Sequence, residues 1–345
     1  LYPVHVTHSI PDTFGVIFKD KKEELAILFI SDFKYDLNPL YEKPFNIEKI
    51  KKLFNSAKRK ICFLDSTNIL VDGKTTSESE LLKDMDFLLS KQKRSFVTLF
   101  SSNIFRIKTI LEIAKKHNKI VVPIGRSILS YLDAANENNI IKLEDEPIKD
   151  VAELEKYDDP KIIGLLTGCQ GDFFGALRRI SSREHREFKL DVGDQVIFSS
   201  KPIPGNSKKI SRIYNDITAQ GAEVITDRDY KIHASGHPGQ EDLKQLLSEL
   251  TPTDYIPIHG ETYFLKKHFD FIEENYNFTP HLLQNFDQVS FNADYSFEMR
   301  KIDETQPDII HGQDLILERE KVSERRKMAC NGTVFISINK KNKKL

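Results

Sequence analysis

Asp227-Arg-Asp-Tyr-Lys-Ile-His-Ala-Ser-Gly-His-Pro-Gly-Gln-Glu241 and Pro257-Ile-His-Gly-Glu261 decide how this sequence is read. Two polar loops carrying His233, His237 and His259 flank one amphipathic helical run. Apolar, β-rich runs at residues 222–225 and 255–258 lead into the loops. Parallel α/β folds place their chemistry at the C-terminal ends of strands, where ligand-capable side chains meet solvent. On this reading His237 and His259 sit at the ends of neighbouring strands.

The same grammar recurs upstream. Residues 4–10 read as an alternating strand running into a loop at residues 9–12, and residues 14–18 and 25–30 as two further strands. The second of these meets Ser31-Asp32-Phe33-Lys34, where Asp32 is either a site residue or a loop cap. A lysine-rich amphipathic helix is expected over residues 47–59, then a buried strand at 61–64 ending in Asp65-Ser-Thr-Asn68. Helical patterns follow at 78–90, 104–117, 128–136, 173–180 and 207–220, alternating with strands at 95–100, 119–123, 162–166, 194–199 and 223–225. Such alternation indicates a mostly parallel sheet covered by helices on both faces. After His268 the pattern changes. A helix finishes at residues 269–275, and beyond Asn285 the text is polar, with short strand-like runs at 288–291, 315–318 and 334–338.

Composition sets outer limits. The chain has 345 residues, 39% hydrophobic and 30% charged, with a net charge of -1, so a polyanion could be held only by local basic patches. Two such patches are Arg325-Arg-Lys327 and Lys341-Asn-Lys-Lys-Leu345, each either a solvated face or a contact to nucleic-acid phosphate. No apolar run reaches the roughly 18 residues a membrane span needs, and no secretory signal is visible. Cys62, Cys169 and Cys330 are odd in number and far apart, which suits reduced thiols in a cytoplasmic protein and makes no thiolate metal motif. The sequence starts at Leu1 rather than Met, so a segment of a longer chain is expected.

The residues able to carry chemistry are His8, Asp32, Asp65, His233, His237 and His259. Imidazole and carboxylate together suit Zn²⁺, or a harder divalent ion with more oxygen ligands. Their separations give no local ligand signature, and any one histidine alone reads equally as a satisfied polar residue. His117, His185, His268, His281 and His311 take that plainer reading. Thr167-Gly-Cys-Gln-Gly171, Ser235-Gly236 and Gly205-Asn-Ser207 are either turns or loops whose N–H groups hold anions. None carries a P-loop lysine, and no GxGxxG follows a first strand.

Taken in order, a set of strings resembles the ribonuclease J family, of the β-CASP branch of the metallo-β-lactamase fold. They are Val6-Thr-His-Ser-Ile-Pro-Asp12, Asp32-Phe-Lys34, Asp65-Ser-Thr-Asn68, Ser102-Asn-Ile104 with Arg106, and Gly125-Arg-Ser127. They continue with Thr167-Gly-Cys-Gln-Gly171, Ser199-Ser200 with Pro202-Ile-Pro-Gly-Asn206, Ser235-Gly-His237 with Gln240-Glu-Asp-Leu243, and Pro257-Ile-His-Gly-Glu261. The resemblance covers residues 1–270 and implies an α/β protein: an incomplete metallo-β-lactamase αββα sandwich with an inserted parallel-sheet β-CASP domain. Residues 1–75 and 236–290 would form the metallo-β-lactamase part, 76–235 the β-CASP domain, and 291–345 remaining strands or a linker toward a C-terminal domain.

The implied activity is metal-dependent hydrolysis of single-stranded RNA, endonucleolytic and 5′-to-3′ exonucleolytic from a 5′ monophosphate, in RNA processing and decay. The cofactors would be two divalent ions, Zn²⁺ or else Mn²⁺ or Mg²⁺. His8, Asp32 and His259 would be metal ligands, with Asp32 bridging. Asp65 would orient a metal-bound histidine, and His237 would face the scissile phosphate. RNA phosphates would be held by His233, Ser235, Gly236, Ser102, Asn103, Arg126, Gly168 and Gln170. The full-length protein would be a homo-oligomer, dimer or tetramer, with no membrane partner.

Several positions depart from the family pattern. The His-x-His-x-Asp-His signature is absent from the sequence, so both metal sites are expected to be incomplete and this segment alone inactive. Phe105 stands for a usual histidine, Cys169 and Asp172 for Ser and Glu, and Ser31 for a glycine. A catalytically inactive RNA-binding paralogue or scaffold subunit is the alternative. A small-substrate hydrolase of the same superfamily fits the long inserted α/β region and its phosphate-type loops less well.

Overall fold

Two separate sheets organise the first of the chain's two compact units, Leu1–Leu283; the second is Gln284–Leu345. The structure, a computed structural model, describes residues 1–345 except 23, 204, 292–295, 303–307, 313–314, 333 and 335–345.

The chain opens with β1 (Tyr2–His5), β2 (Phe14–Lys19), β3 (Leu25–Ile30), α1 (Ile47–Phe54) and β4 (Arg59–Asp65). It then enters the inserted region: α2 (Glu78–Ser90), β5 (Ser95–Thr98), α3 (Ile104–Lys116), β6 (Ile120–Ile124), α4 (Arg126–Glu137), β7 (Ile162–Leu166), α5 (Ala176–Ser181), β8 (Gln195–Phe198), α6 (Ser207–Thr218) and β9 (Glu223–Ile225). It returns through α7 (Gln240–Glu249), β10 (Asp254–Ile258), α8 (Thr262–Asn275) and β11 (Thr279–Pro280).

The first sheet has the order β1-β2-β3-β4-β10-β11. β1, β2 and β3 are joined antiparallel, and β3, β4 and β10 run parallel. One face packs Ala26, Leu28, Ile30, Cys62, Leu64 and Tyr255 against Ile50 and Phe54 of α1 and Leu243, Leu246 and Leu247 of α7. The second sheet, β6-β7-β5-β8-β9, is parallel throughout. Helices α2, α3 and α4 cover one face over Val97, Val121, Ile163 and Ile197, while α5 and α6 cover the other over Phe96, Val122, Leu166 and Phe198. Strands buried on both faces read as continuous apolar runs, which is why Ile162-Ile-Gly-Leu-Leu166 is legible as a strand.

The two expected α/β parts are present, with local corrections. β9 belongs to the second sheet and β10 to the first, so His237 and His259 do not come from neighbouring strands. His237 lies on the crossover that brings the chain back from one sheet to the other. β1 ends at His5, short of residue 10. α1 ends at Phe54 instead of residue 59, because the Arg59 N–H donates to Glu24 O and opens β4. α5 begins at Ala176, since Gly175 N–H closes a turn on Asp172 O and leaves Phe173 and Phe174 outside the helix.

In Gln284–Leu345, β12 (Asp287–Phe291) pairs antiparallel with β13 (Phe297–Lys301), and β14 (Ile309–His311) with β15 (Leu315–Leu317). Helix α9 (Arg319–Asn331) carries the basic run at residues 325–327. Most of the strand expected at 334–338, and the closing basic run, lie outside the described residues.

Candidate metal centre

The first sheet sets the site. β1 and β3 point the same way through the antiparallel β2, and β3, β4 and β10 are parallel, so one edge of the sheet collects the ends of all four. Asp32 follows β3, Asp65 closes β4, His259 follows β10, and His8 lies just past β1. Register pairs Ile258 with Asp65, which puts His259 directly beyond the carboxylate.

Three imidazoles converge there, each with Nδ1 engaged. His8 Nδ1–H donates to Gly236 O at 2.7 Å. His237 Nδ1–H donates to Asp65 Oδ2 at 2.5 Å. His259 Nδ1–H is shared between Thr67 Oγ1 at 2.9 Å and Asp65 Oδ1 at 3.3 Å, while the Thr67 hydroxyl donates to His259 O at 3.2 Å. A ring whose Nδ1 carries the proton presents Nε2 as a lone-pair donor, the arrangement that carboxylates and carbonyls impose on metal-binding histidines. His259 Nε2 stands 3.4 Å from Asp32 Oδ1. Ligand-capable atoms of His8, Asp32 and His237 lie within 4.8 Å of one another, as do those of Asp65, His237 and His259. The His237 ring stacks on His259 at 5.5 Å and meets His8 edge-on at 5.3 Å. This donor set of imidazole nitrogens and carboxylate oxygens fits a divalent ion.

Local backbone chemistry explains the placement. His259 has φ of 56°, the left-handed region that a non-glycine residue seldom adopts. Gly236 has no room for a side chain: a Cβ would fall 2.5 Å from Cε1 of His8. The His237 carbonyl accepts from Asn68 Nδ2 at 2.9 Å and from the Thr75 hydroxyl at 2.7 Å, tying the crossover to the loop after β4.

Charge follows burial. Burial alone would raise the Asp65 carboxyl, but hydrogen bonds from His237, His259 and the Thr67 N–H outweigh it and hold the group at about 2. His259 is raised, chiefly by its bond to Asp65. Burial lowers His8.

The residues expected to hold phosphates divide into two groups. Ser235 and Gly236 reach the centre, with Ser235 Oγ accepting from Asn68 Nδ2 at 2.9 Å, while His233 lies against Arg106. Burial and the charges of Arg106 and Lys201 lower His233 to about 3, so it is neutral and accepts from Arg106 at 3.3 Å. The others lie on the C-terminal rim of the second sheet and do not join the cluster. Asn103 Oδ1 caps α3 by accepting from Arg106 N–H at 3.1 Å, and the Ser102 carbonyl closes the same turn. Gln170 donates to Lys201 O at 2.9 Å and accepts from Ile203 N–H at 2.8 Å. Gly168, at φ of 89°, packs on Gly175. Arg126 is exposed at the start of α4.

Sequence reasoning gave no role to a buried ionic chain beneath the site. Arg106 donates to Glu78 at 2.5 and 3.1 Å, to Ser199 O at 2.9 Å and to Ala234 O at 3.3 Å. The Lys34 ammonium lies 3.9 Å from Glu78 and 3.4 Å from Asp36, and Asp36 accepts from Ser77 Oγ at 2.8 Å. The network runs from the end of β3 to the end of β8, so it fastens one sheet to the other. A signal was present at Arg106, a cation within Ile104-Phe-Arg-Ile107, but not at Lys34, which stands between Asp32 and Asp36. The histidines given the plain reading have such partners: His268 bonds Ser66 and Tyr255, His117 bonds Asp86, and His281 bonds Asp254.

A parallel inserted sheet over strand-end imidazoles and carboxylates defines a β-CASP metallo-hydrolase. Family models agree: one described as "Ribonuclease J, beta-CASP domain" matches residues 92–217, and one described as "Zn-dependent metallo-hydrolase RNA specificity domain" matches residues 221–283. The chain belongs to the ribonuclease J family. It is 32% identical over 338 residues to ribonuclease J of Thermus thermophilus, covering 96% of this chain and 58% of that protein. The Synechocystis ribonuclease J is 35% identical over 264 residues, 76% of this chain and 41% of the relative. The Helicobacter pylori ribonuclease J is 30% identical over 348 residues, 98% and 50%. The chain thus spans about half the length of the curated relatives it matches.

Proposed function

We propose that the protein is a metal-dependent ribonuclease that hydrolyses phosphodiester bonds of single-stranded RNA, both internally and 5′-to-3′ from a 5′ monophosphate. The observation that carries this is the convergence of three imidazoles on Asp32, each with Nδ1 already engaged. His8, Asp32 and His259 are the residues we assign to hold one or two divalent ions, Zn²⁺ or else Mn²⁺ or Mg²⁺. Such ions, when bound, polarise phosphoryl oxygens and acidify water. Asp65 accepts from His237 and His259 and fixes both rings. His237 turns Nε2 toward the reacting phosphate, where it stabilises developing charge or protonates the leaving oxygen. His233, Ser235 and Gly236 lie on the side of Arg106 and receive a phosphate of the strand. We take residues 76–235 as the inserted domain, closing a strand-binding channel over residues 1–75 and 236–290.

Two further assignments belong to this reading. The protein works as a homo-oligomer in the cytoplasm, consistent with free, buried Cys62 and Cys169. Among the described residues, no helix is long and apolar enough to cross a membrane.

The test is cleavage of 5′-monophosphorylated single-stranded RNA by the full-length protein with and without Mn²⁺, Mg²⁺ or Zn²⁺; no metal-dependent release of nucleotides sinks the proposal. His237→Ala is expected to slow hydrolysis by about 10²–10⁴-fold with metal content near wild type. The proximity of His237 to both ligand groups favours a second reading, in which it is itself a ligand. Loss of metal in the variant, by elemental analysis, would establish that reading instead.

A further inference from the structure

The reaction centre uses the ends of β3, β4 and β10 and reaches the end of β8, but it leaves the loop after β7 without a task. There Phe173 and Phe174 are 68% and 85% exposed, with ring centres 5.0 Å apart and nearly perpendicular. Leaving a phenylalanine in water forgoes about 1.5–3 kcal/mol of burial, so an adjacent exposed pair calls for an explanation.

The loop is built to hold the pair outward. Gly168 and Gly175 pack backbone to backbone, and a Cβ on Gly168 would fall 2.8 Å from the Gly175 Cα. The Thr167 carbonyl accepts from Leu177 N–H at 3.0 Å, and its hydroxyl from Ala176 N–H at 3.2 Å. Both sides of the pair are thereby pinned, and little ordering remains to be done on binding.

The surroundings are cationic. The Arg178 guanidinium lies 4.5 Å over the Phe173 ring. Phe174 shares a cavity with Arg126, Arg179 and His185. Among the described residues, Arg126, Arg178 and Arg179 form no ion pair. The groove on the Phe173 side is mixed, because Glu184 and Asp216 line it beside Lys209 and Arg212. Among the described residues, the cavity on the Phe174 side holds Arg126, Arg179 and His185 without a carboxylate, and Asp150 and Glu187 stand in the adjoining one.

Position adds to this. α3 and α5 lie on opposite faces of the sheet, so the connections after β5 and β7 diverge. Parallel α/β folds take ligands in the crevice that such divergence opens. β7 is two strands from β8, about 10 Å away, and the end of β8 carries the Arg106–Ser199 contact next to His233.

We infer that Phe173 and Phe174 form a stacking platform for unpaired bases of single-stranded RNA, with Arg126 and Arg179 receiving its phosphates. Aromatic faces beside cations take bases of any sequence, whereas a duplex offers no free base faces to them. This rests on the ribonuclease reading for the identity of the strand, and it adds a contact area outside the reaction centre.

The test is fluorescence anisotropy of a labelled, 5′-phosphorylated oligoadenylate in EDTA, against a matched duplex. The wild type binds the single strand more tightly than the duplex. F173A/F174A weakens single-strand binding about tenfold or more, and F173Y/F174Y restores it. R126A/R179A lowers the salt slope by about 1.4, the value for two phosphate contacts to a single strand. Equal affinity for strand and duplex, or unchanged affinity in F173A/F174A, overturns the proposal. So does loss of self-association in F173A/F174A, by sedimentation, with RNA affinity intact, which would assign the pair to a second copy of the chain. Metal-dependent hydrolysis by the wild type is scored separately. Its absence alongside Phe-dependent binding sinks only the ribonuclease reading, and its presence alongside Phe-independent binding sinks only the platform.

Discussion

The two sheets of residues 1–283 treat their faces differently. β5, β6, β7 and β8 are buried at every position, because helices cover both sides. β2 and β3 alternate: Gly15, Ile17, Ala26, Leu28 and Ile30 are buried, while Phe18 and Phe29 on the opposite face are 45% and 42% exposed. The inserted sheet is a closed three-layer body whose strand-end loops are free to vary. The first sheet instead lends its edge to chemistry, and its site is completed by a loop arriving from the other sheet. Stability and function are thus distributed unequally between the two.

That contrast can be broken at several points. The largest effect is expected in the inserted sheet: Phe96→Ala removes a fully buried ring and should cost about 3–5 kcal/mol in urea unfolding. A comparable loss, about 3–5 kcal/mol, is expected for Arg106→Ala, which leaves Glu78 buried without its partner. The same pair gives a pH signature. Burial would raise the Glu78 carboxyl, but the charges of Arg106 and Lys34 outweigh it and hold it below its ordinary value. Its stabilisation is complete above the ordinary glutamate value of about 4.3 and is lost as pH falls through the lower folded value. Wild type should therefore lose stability more steeply in acid than Glu78→Gln, and parallel curves would refute the coupling.

Smaller effects follow. Gly236→Ala places a methyl group against the His8 ring. It should lower Zn²⁺ affinity about 10–100-fold, measured by competition with a chelating dye, while the urea midpoint moves far less than in Phe96→Ala. Phe29→Ala on the exposed face should stay within about 0.5 kcal/mol. A cost matching that of Phe96→Ala would show that this face is packed in solution.

Much of the fold was legible because the inserted sheet is covered on both sides. Continuous apolar runs such as Ile162–Leu166 can hardly be read otherwise, and Ser77 with Glu80 forms a capping box that announces α2. Helix ends were less legible. The end of α1 depends on which strand claims the Arg59 N–H, a tertiary fact. α9 escaped notice because its 13 residues are rich in charge and its few apolar side chains form no consistent face. Assigning β9 and β10 to one sheet failed for a related reason: both are short apolar runs before histidine loops, and only long-range pairing distinguishes them. At the site, His8, Asp32, Asp65, His237 and His259 could be named from the strings. Their juxtaposition could not, since it depends on the register of β4 with β10 and on the crossover carrying Gly236 against His8. The exposure of Phe173 and Phe174 was hidden for the opposite reason, because two apolar residues beside a helical run look like its buried face.

The contact between His8 and Gly236 has a mechanical meaning. His8 is anchored in the first sheet, while Gly236 belongs to the strap of chain descending from the second. One hydrogen bond therefore spans the seam between the two bodies at the point where a proposed metal ligand sits. If the inserted body tips, the acceptor moves and the imidazole turns with it. The ring is in effect a gauge needle for how the two bodies are seated. Its Nδ1 proton, followed by NMR as RNA is added, would register that motion without any probe attached to the strand.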